Sequence, residues 1–195
     1  MDTSGARTYI LNKLRNELPA TRSYHCLEHT LDVYASAIDI AEREGVTGED
    51  LELLKMAALF HDSGFTEQDH EHEEAGCRIV RRELPGFGFT AEQVEAICGM
   101  IMSTRIPQSP KDQLGRILCD ADLDYLGRPD FQRIGEMLFE ELKAFGVLKD
   151  RLAWNRLQEE FLQGHRYFTE TNRSAREAVK QQHLADVRAW LAAHG

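Results

Sequence analysis

Turn-forming residues cut this chain into lengths that helices use. Pro19, Gly45, Gly48, Ser63-Gly64-Phe65, Pro85 to Gly88, Pro107 to Pro110 and Gly127-Arg128-Pro129 separate stretches in which apolar residues return every three or four positions. No stretch alternates convincingly at period two, so a sheet has nothing to build on. The expected fold is all-α, a compact bundle of about eight or nine helices. Thr90-Ala91-Glu92-Gln93 reads as a capping box, and Thr47-x-x-Asp50 as a looser version of it. Residues 50–60, DLELLKMAALF, are apolar nearly all round, which marks a helix enclosed by others. The segment from Asn172 to Ala193 is amphipathic, with Arg173, Arg176, Lys180 and Arg188 expected on a solvated face. Trp154 and Trp190 are expected to pack.

Charge excludes several classes of partner. A formal net charge of −10 would repel duplex nucleic acid and anionic membrane surfaces. No apolar run approaches the ~20 residues of a membrane span, and MDTSGARTYILNKLRNELP lacks the apolar centre of a signal peptide. A cytoplasmic address is expected. Cys26, Cys77, Cys98 and Cys119 form no CxxC pair and fall inside helical patterns, so they read as reduced core or near-core residues.

Some polar residues fall where the helical pattern wants apolar ones. On a helix from His25 to Arg43, His29 lies at the edge of the apolar arc in line with Val33 and Ile40, whereas His25 lies nearer the charged side. His61-Asp62 ends the most apolar helix, and Gly64 lets the chain turn there. A helix C-terminus explains a histidine but disfavours the carboxylate, which needs a cation or full hydrogen bonding. His72 and Glu73 sit on the inner side of the next helix start, where Glu73 serves equally well as a cap or as a catalytic group. In LGRILCDADLDYLG, Asp120 points furthest outward. Asp122 and Asp124 lie at opposite borders of the apolar stripe, and helical phase does not choose between them.

YHCLEHTLDV, ALFHDSGF, HEEAGC, AICGMIMSTR and LCDADLDYLG, taken in order, resemble the motif blocks of the HD superfamily of metal-dependent phosphohydrolases. The resemblance covers about residues 24–130 and implies one domain over 1–195, with helices of 131–195 packing on the motif-bearing core. It implies His29, His61, Asp62 and Asp122 as metal ligands, and the Ala121-Asp122-Leu123 context favours Asp122 over its neighbours. Two imidazoles and two carboxylates suit one divalent ion of manganese, iron, cobalt, nickel or zinc, with magnesium less suited. Such an ion lowers the pKa of bound water and polarises a phosphoryl oxygen. The function implied is hydrolysis of a phosphate ester in a nucleotide or another small phosphorylated metabolite.

His72 and Glu73 are the candidates for orienting water or protonating the leaving oxygen. Arg22, Arg105 and Arg128 lie beside motif blocks and are candidates for phosphate binding. Thr104 matches the resemblance without a derivable role. Many relatives carry a lysine two residues after Ser63, in an HDxGK pattern, and Phe65 stands there instead. That departure supports the rival reading, a regulatory domain that binds a nucleotide without turnover. Only His70 and His72 lie between the dyad and Asp122, which favours one metal over two and argues against a di-iron oxygenase. A third reading is a helical scaffold with no site.

Overall fold

The computed structural model describes residues 1–194. Among them are nine α-helices and no strand. They are α1 (Thr3–Glu17), α2 (Leu27–Arg43), α3 (Gly48–Phe60), α4 (His72–Glu83), α5 (Ala91–Ser103), α6 (Gln113–Asp122), α7 (Phe131–Ala144), α8 (Arg151–Gly164) and α9 (Glu170–His194). Short 3-10 turns at Ser63–Thr66, Leu84–Phe87 and Asp124–Gly127 join or extend them.

The all-round apolar segment becomes α3, which is surrounded by α1, α2, α5 and α6. Leu54, Ala57, Ala58, Leu59 and Phe60 are fully buried, and each of the larger side chains contributes about 1.5–3 kcal/mol by leaving water. A second apolar cluster forms where Leu123, Tyr125 and Leu126 meet Phe131 and Ile134 of α7, Leu162 of α8 and Leu184 and Val187 of α9. No helix among the described residues is long and apolar enough to cross a membrane.

The local signals hold unevenly. Thr90 and Gln93 form the reciprocal capping box of α5, at 3.3 and 2.9 Å. Thr47 makes no side-chain capping bond, and Gly48 opens α3 with a φ of 62°. All four cysteines are free, and Cys77, Cys98 and Cys119 are buried. The solvated face expected on α9 is only partly so. Lys180 is 1% exposed because the 165–169 segment folds over it: its Nζ donates to the His165 carbonyl at 2.7 Å and pairs with Glu177. Arg176 turns inward to Asp124 at 2.8 Å, while Arg173 and Arg188 stay at the surface.

Gly99 lies exposed inside α5, and a Cβ there meets nothing within 4 Å. Gly99→Ala should stabilise the fold by about 0.5–1 kcal/mol, the helix-propensity difference between the two residues. A thermal melt should show the midpoint rising by about 1–4 °C.

Candidate metal centre

Four side chains from three parts of the chain meet between the central helices. His29 comes from the first turn of α2, His61 and Asp62 from the end of α3, and Asp122 from the last residue of α6. His29 Nε2 lies 3.3 Å from Asp122 Oδ1, 3.5 Å from Asp62 Oδ2 and 3.4 Å from His61 Nε2. His61 Nε2 lies 3.3 Å from Asp62 Oδ2 and 3.6 Å from Asp122 Oδ1. Bonds of about 2.0–2.2 Å to a central ion would put tetrahedrally arranged donors roughly 3.3–3.6 Å apart. The ligand atoms of His29, His61 and Asp122 all lie within 4.8 Å of one another and can hold one ion, and Asp62 Oδ2 adjoins both imidazoles of that set.

Local structure aims these groups. His61 Nδ1 donates to the Ala58 carbonyl at 2.8 Å, which leaves Nε2 facing the centre. The Ser63 hydroxyl donates to the Phe60 carbonyl at 2.7 Å and so satisfies an orphan acceptor at the buried end of α3. Asp62 Oδ2 is buried with no hydrogen-bond partner, a costly state unless a cation faces it. Burial by itself would lower the His61 pKa, but the neighbouring Asp62 and Asp122 carboxylates raise it to about 9. Burial would likewise raise Asp62, yet His61, His72 and His25 hold it well below the usual carboxylate range. The field at the centre thus favours positive charge among the four donors.

His72 and Glu73 open α4 beside this cluster. His72 Nε2 is 3.4 Å from Asp62 Oδ1 and 3.5 Å from Glu73 Oε1. The turn that places them requires Gly64, whose ideal Cβ would lie 1.9 Å from the His72 carbonyl oxygen. Phe65 stacks on His72 with ring centroids 3.9 Å apart, and the Arg22 guanidinium lies over the Phe65 ring, 4.1 Å from its centroid. A cavity of about 280 Å³ leads away from the cluster. Asp62, His72, Glu73 and Asp122 line it together with side chains of α7 and α8, and Tyr24, His25, Thr104 and Tyr125 add polar groups to the wall.

The HD domain family matches residues 26–124, half of the chain, and the matched span contains all four donors. The chain belongs to the HD domain family. A predicted HD superfamily hydrolase from an uncultured Thermotogales bacterium is 26% identical, with a TM-score of 0.64 over 96% of this chain and 92% of its own. A Lactobacillus plantarum protein is 20% identical at a TM-score of 0.65, covering 98% of this chain and 97% of its own. Bacillus subtilis YpgQ in complex with ADP is 20% identical at 0.63, covering 96% of each chain, and these two share the fold. No curated protein matches the chain.

In this HD domain the three aspartates after Cys119 separate by partner. Asp124 accepts from Arg176 at 2.8 and 3.1 Å and from Asn172 at 3.1 Å, while Asp122 faces the histidines. Asp120 is not outward as its helical phase suggests. It is fully buried and accepts from the backbone of Phe168 and Thr169 and from the Thr169 hydroxyl, because the strand of chain entering α9 covers that side of α6.

The three arginines also differ in placement. Arg105 is 39% exposed and lies 3.6 Å from Glu73 and 3.1 Å from Glu74, next to the cluster. Arg22 is buried between Phe65 and Phe145 and bonds Glu141 and Asp69. Arg128 is held by Asp32 and Asp130, both at 3.0 Å. None of the three lines the cavity. Thr104 does, with its hydroxyl donating to Ile101.

Glu141 escaped the sequence reading, although it falls on the apolar stripe of α7 with Ile134 and Leu138. Its side chain, 1% exposed, accepts from the backbone N–H groups of Tyr24 and His25 at 2.7 and 3.0 Å, from the His25 ring at 2.5 Å and from Arg22 at 3.0 Å. It thereby anchors the segment that leads into His29. Burial would raise the Glu141 pKa, but the His25 ring and these donors bring it down to about 2.

A carboxylate depressed from 4.5 to about 2 contributes stability that is fully present above pH 4.5 and is lost as pH falls through 2. Glu141→Gln should therefore cost about 3 kcal/mol at pH 7. Urea titrations of both proteins from pH 7 downward should show the difference unchanged to about pH 4.5 and shrinking below it.

Proposed function

We propose that this HD domain is a metal-dependent phosphohydrolase acting on the phosphate ester of a nucleotide or another small phosphorylated metabolite. The observation that carries the reading is the buried, unpartnered Asp62 Oδ2, set among His29 and His61 nitrogens at ion-binding spacing. His29, His61, Asp62 and Asp122 would hold one divalent ion of manganese, iron, cobalt, nickel or zinc, with magnesium less suited to the nitrogen donors. When bound, such an ion activates water and polarises the phosphoryl group.

The remaining residues have separate roles. Glu73, 6% exposed, lines the cavity beside Asp62 and is placed to accept a proton from the attacking water. His72, within 3.5 Å of both Asp62 and Glu73, is placed to orient that water or to donate to the leaving oxygen. Arg105, held next to Glu73, can swing toward a phosphate through its planar donor fork. The ADP bound to Bacillus subtilis YpgQ supports a nucleotide as the substrate. The buried Phe65 ring, stacked on His72 where many relatives have a lysine, supports the rival reading of a nucleotide-binding regulatory domain.

Phosphate release from a panel of nucleotides and simple esters, assayed with each divalent metal, separates the two. The hydrolase reading expects metal-dependent release that is lost in both His61→Ala and Asp122→Ala. Ligand binding with no product from any ester would establish the regulatory reading instead.

A further inference from the structure

We infer that a second cavity, beside the one at the metal centre, receives the base of the nucleotide, which Gln108 and His165 read. The inference deepens the nucleotide reading and rests on it for the phosphate end. Ile106, Leu123, Leu157 and Phe161 line both cavities. Leu123 follows Asp122 in the chain, so the new wall begins next to a candidate metal ligand. Ile106 and Leu157 are 56% and 38% exposed, and exposed side chains change rotamer freely, so these two can turn aside to let one ligand occupy both spaces.

Two buried polar atoms of residues lining the second cavity have no hydrogen-bond partner in the protein. They are Gln108 Oε1 and His165 Nε2. The other end of each side chain is already fixed. Gln108 Nε2 donates to the Cys119 carbonyl at 3.1 Å, which leaves the amide oxygen as an unmet acceptor. Lys180 has only protons to give and sets its Nζ 3.4 Å from His165 Nδ1, so Nδ1 accepts and Nε2 carries the ring proton. Burial and the Lys180 charge lower the His165 pKa to about 4, which keeps the ring in this neutral form at pH 7.

An unmet acceptor and an unmet donor in one cavity call for a ligand that carries a donor beside an acceptor. Every nucleobase has that pair on its Watson–Crick edge. The rest of the lining suits its flat faces, because Pro107, Phe161 and Phe168 are apolar and the charged Glu160 and Arg166 are exposed. A sugar phosphate without a base would leave both atoms unpaired.

The test uses the zinc-loaded full chain with AMP, GMP, CMP and UMP against ribose 5-phosphate. At least one nucleotide should exceed ribose 5-phosphate in kcat/KM by about a hundredfold, roughly tenfold for each hydrogen bond gained. Gln108→Met and His165→Phe should each cut that ratio to about tenfold, and Gln108→Met suffices if His165→Phe fails to fold. A purely structural role for the pair would lower both kinds of substrate alike and leave the ratio in place, which overturns the inference. Equal turnover of ribose 5-phosphate and all four nucleotides overturns it too.

Binding is followed separately through the nitrogen resonance of His165 Nε2 as adenosine, guanosine, cytidine or uridine is added. A saturable shift without turnover of any ester leaves this inference standing and removes the hydrolase reading. No shift with any of the four nucleosides overturns the inference, and ester turnover alongside that result leaves the hydrolase reading intact.

Discussion

Asp62→Asn should abolish metal loading and also weaken the metal-free fold, because the histidines that hold the Asp62 carboxyl well below its usual range lose the charge they face. The substitution keeps the shape of the side chain but removes the charge that faces His29 and His61 at 3.5 and 3.3 Å. Metal analysis after purification should find about one ion per wild-type chain and less than about a tenth of that in the variant. Manganese at a hundred times its Kd should stabilise the wild type by about 2.7 kcal/mol in a thermal melt and should not move the variant. Ester hydrolysis should fall by about a thousandfold or more, the scale on which charge stabilisation at a reacting phosphoryl group acts. A variant that retains its ion and its turnover would show that the reaction centre lies elsewhere.

Gly64→Ala is expected to damage both stability and activity, for a different reason. The added Cβ would stand 1.9 Å from the His72 carbonyl oxygen, 2.7 Å from its carbon and 2.8 Å from the Gly76 nitrogen. All three are backbone atoms of α4, so no side chain can rotate away. The helix start must move, and His72 and Glu73 move with it. A loss of about 3 kcal/mol or more follows from overpacking of this kind, which in a chain of this size lowers the melting midpoint by roughly 6–12 °C. Gly76→Ala is the control, because its nearest neighbour is the Phe60 carbonyl at 3.2 Å and a small shift accommodates it. Equal melting temperatures for the two variants would contradict the close approach of α4 to the 63–66 turn.

The helices were legible from periodicity, which also exposed His61 and Asp62 as polar residues ending an apolar helix and His29 at the edge of an apolar arc; the full set of four candidate ligands came only from the resemblance to the HD motif blocks. Asp122 and Asp124 could not be separated by phase, because the distinction lies in their partners: Arg176 and Asn172 are about fifty residues downstream. Asp120 and Lys180 were misplaced for the same reason, since a helix read alone does not reveal which loop will cover it. Glu141 left a readable trace as an acid on an apolar stripe, but its function as an anchor for Tyr24 and His25 depends on a contact across more than a hundred residues. The cavity was the least legible feature. Leu138, Leu157 and Phe161 carry the same amphipathic signature as any core residue, and whether they enclose space depends on how α7 and α8 are angled.

The bonds that Asp120 and Asp124 make to the chain around α9 bear on how this protein can be shortened. A fragment trimmed to residues 24–130 would strip Asp120 of Phe168 and Thr169, and Asp124 of Arg176 and Asn172, on either side of Asp122. It would also lose the side chains of α7 and α8 that line the adjoining cavity. Anyone shortening the chain should keep the distal third, which acts as a splint on the candidate metal centre rather than as a dispensable appendage.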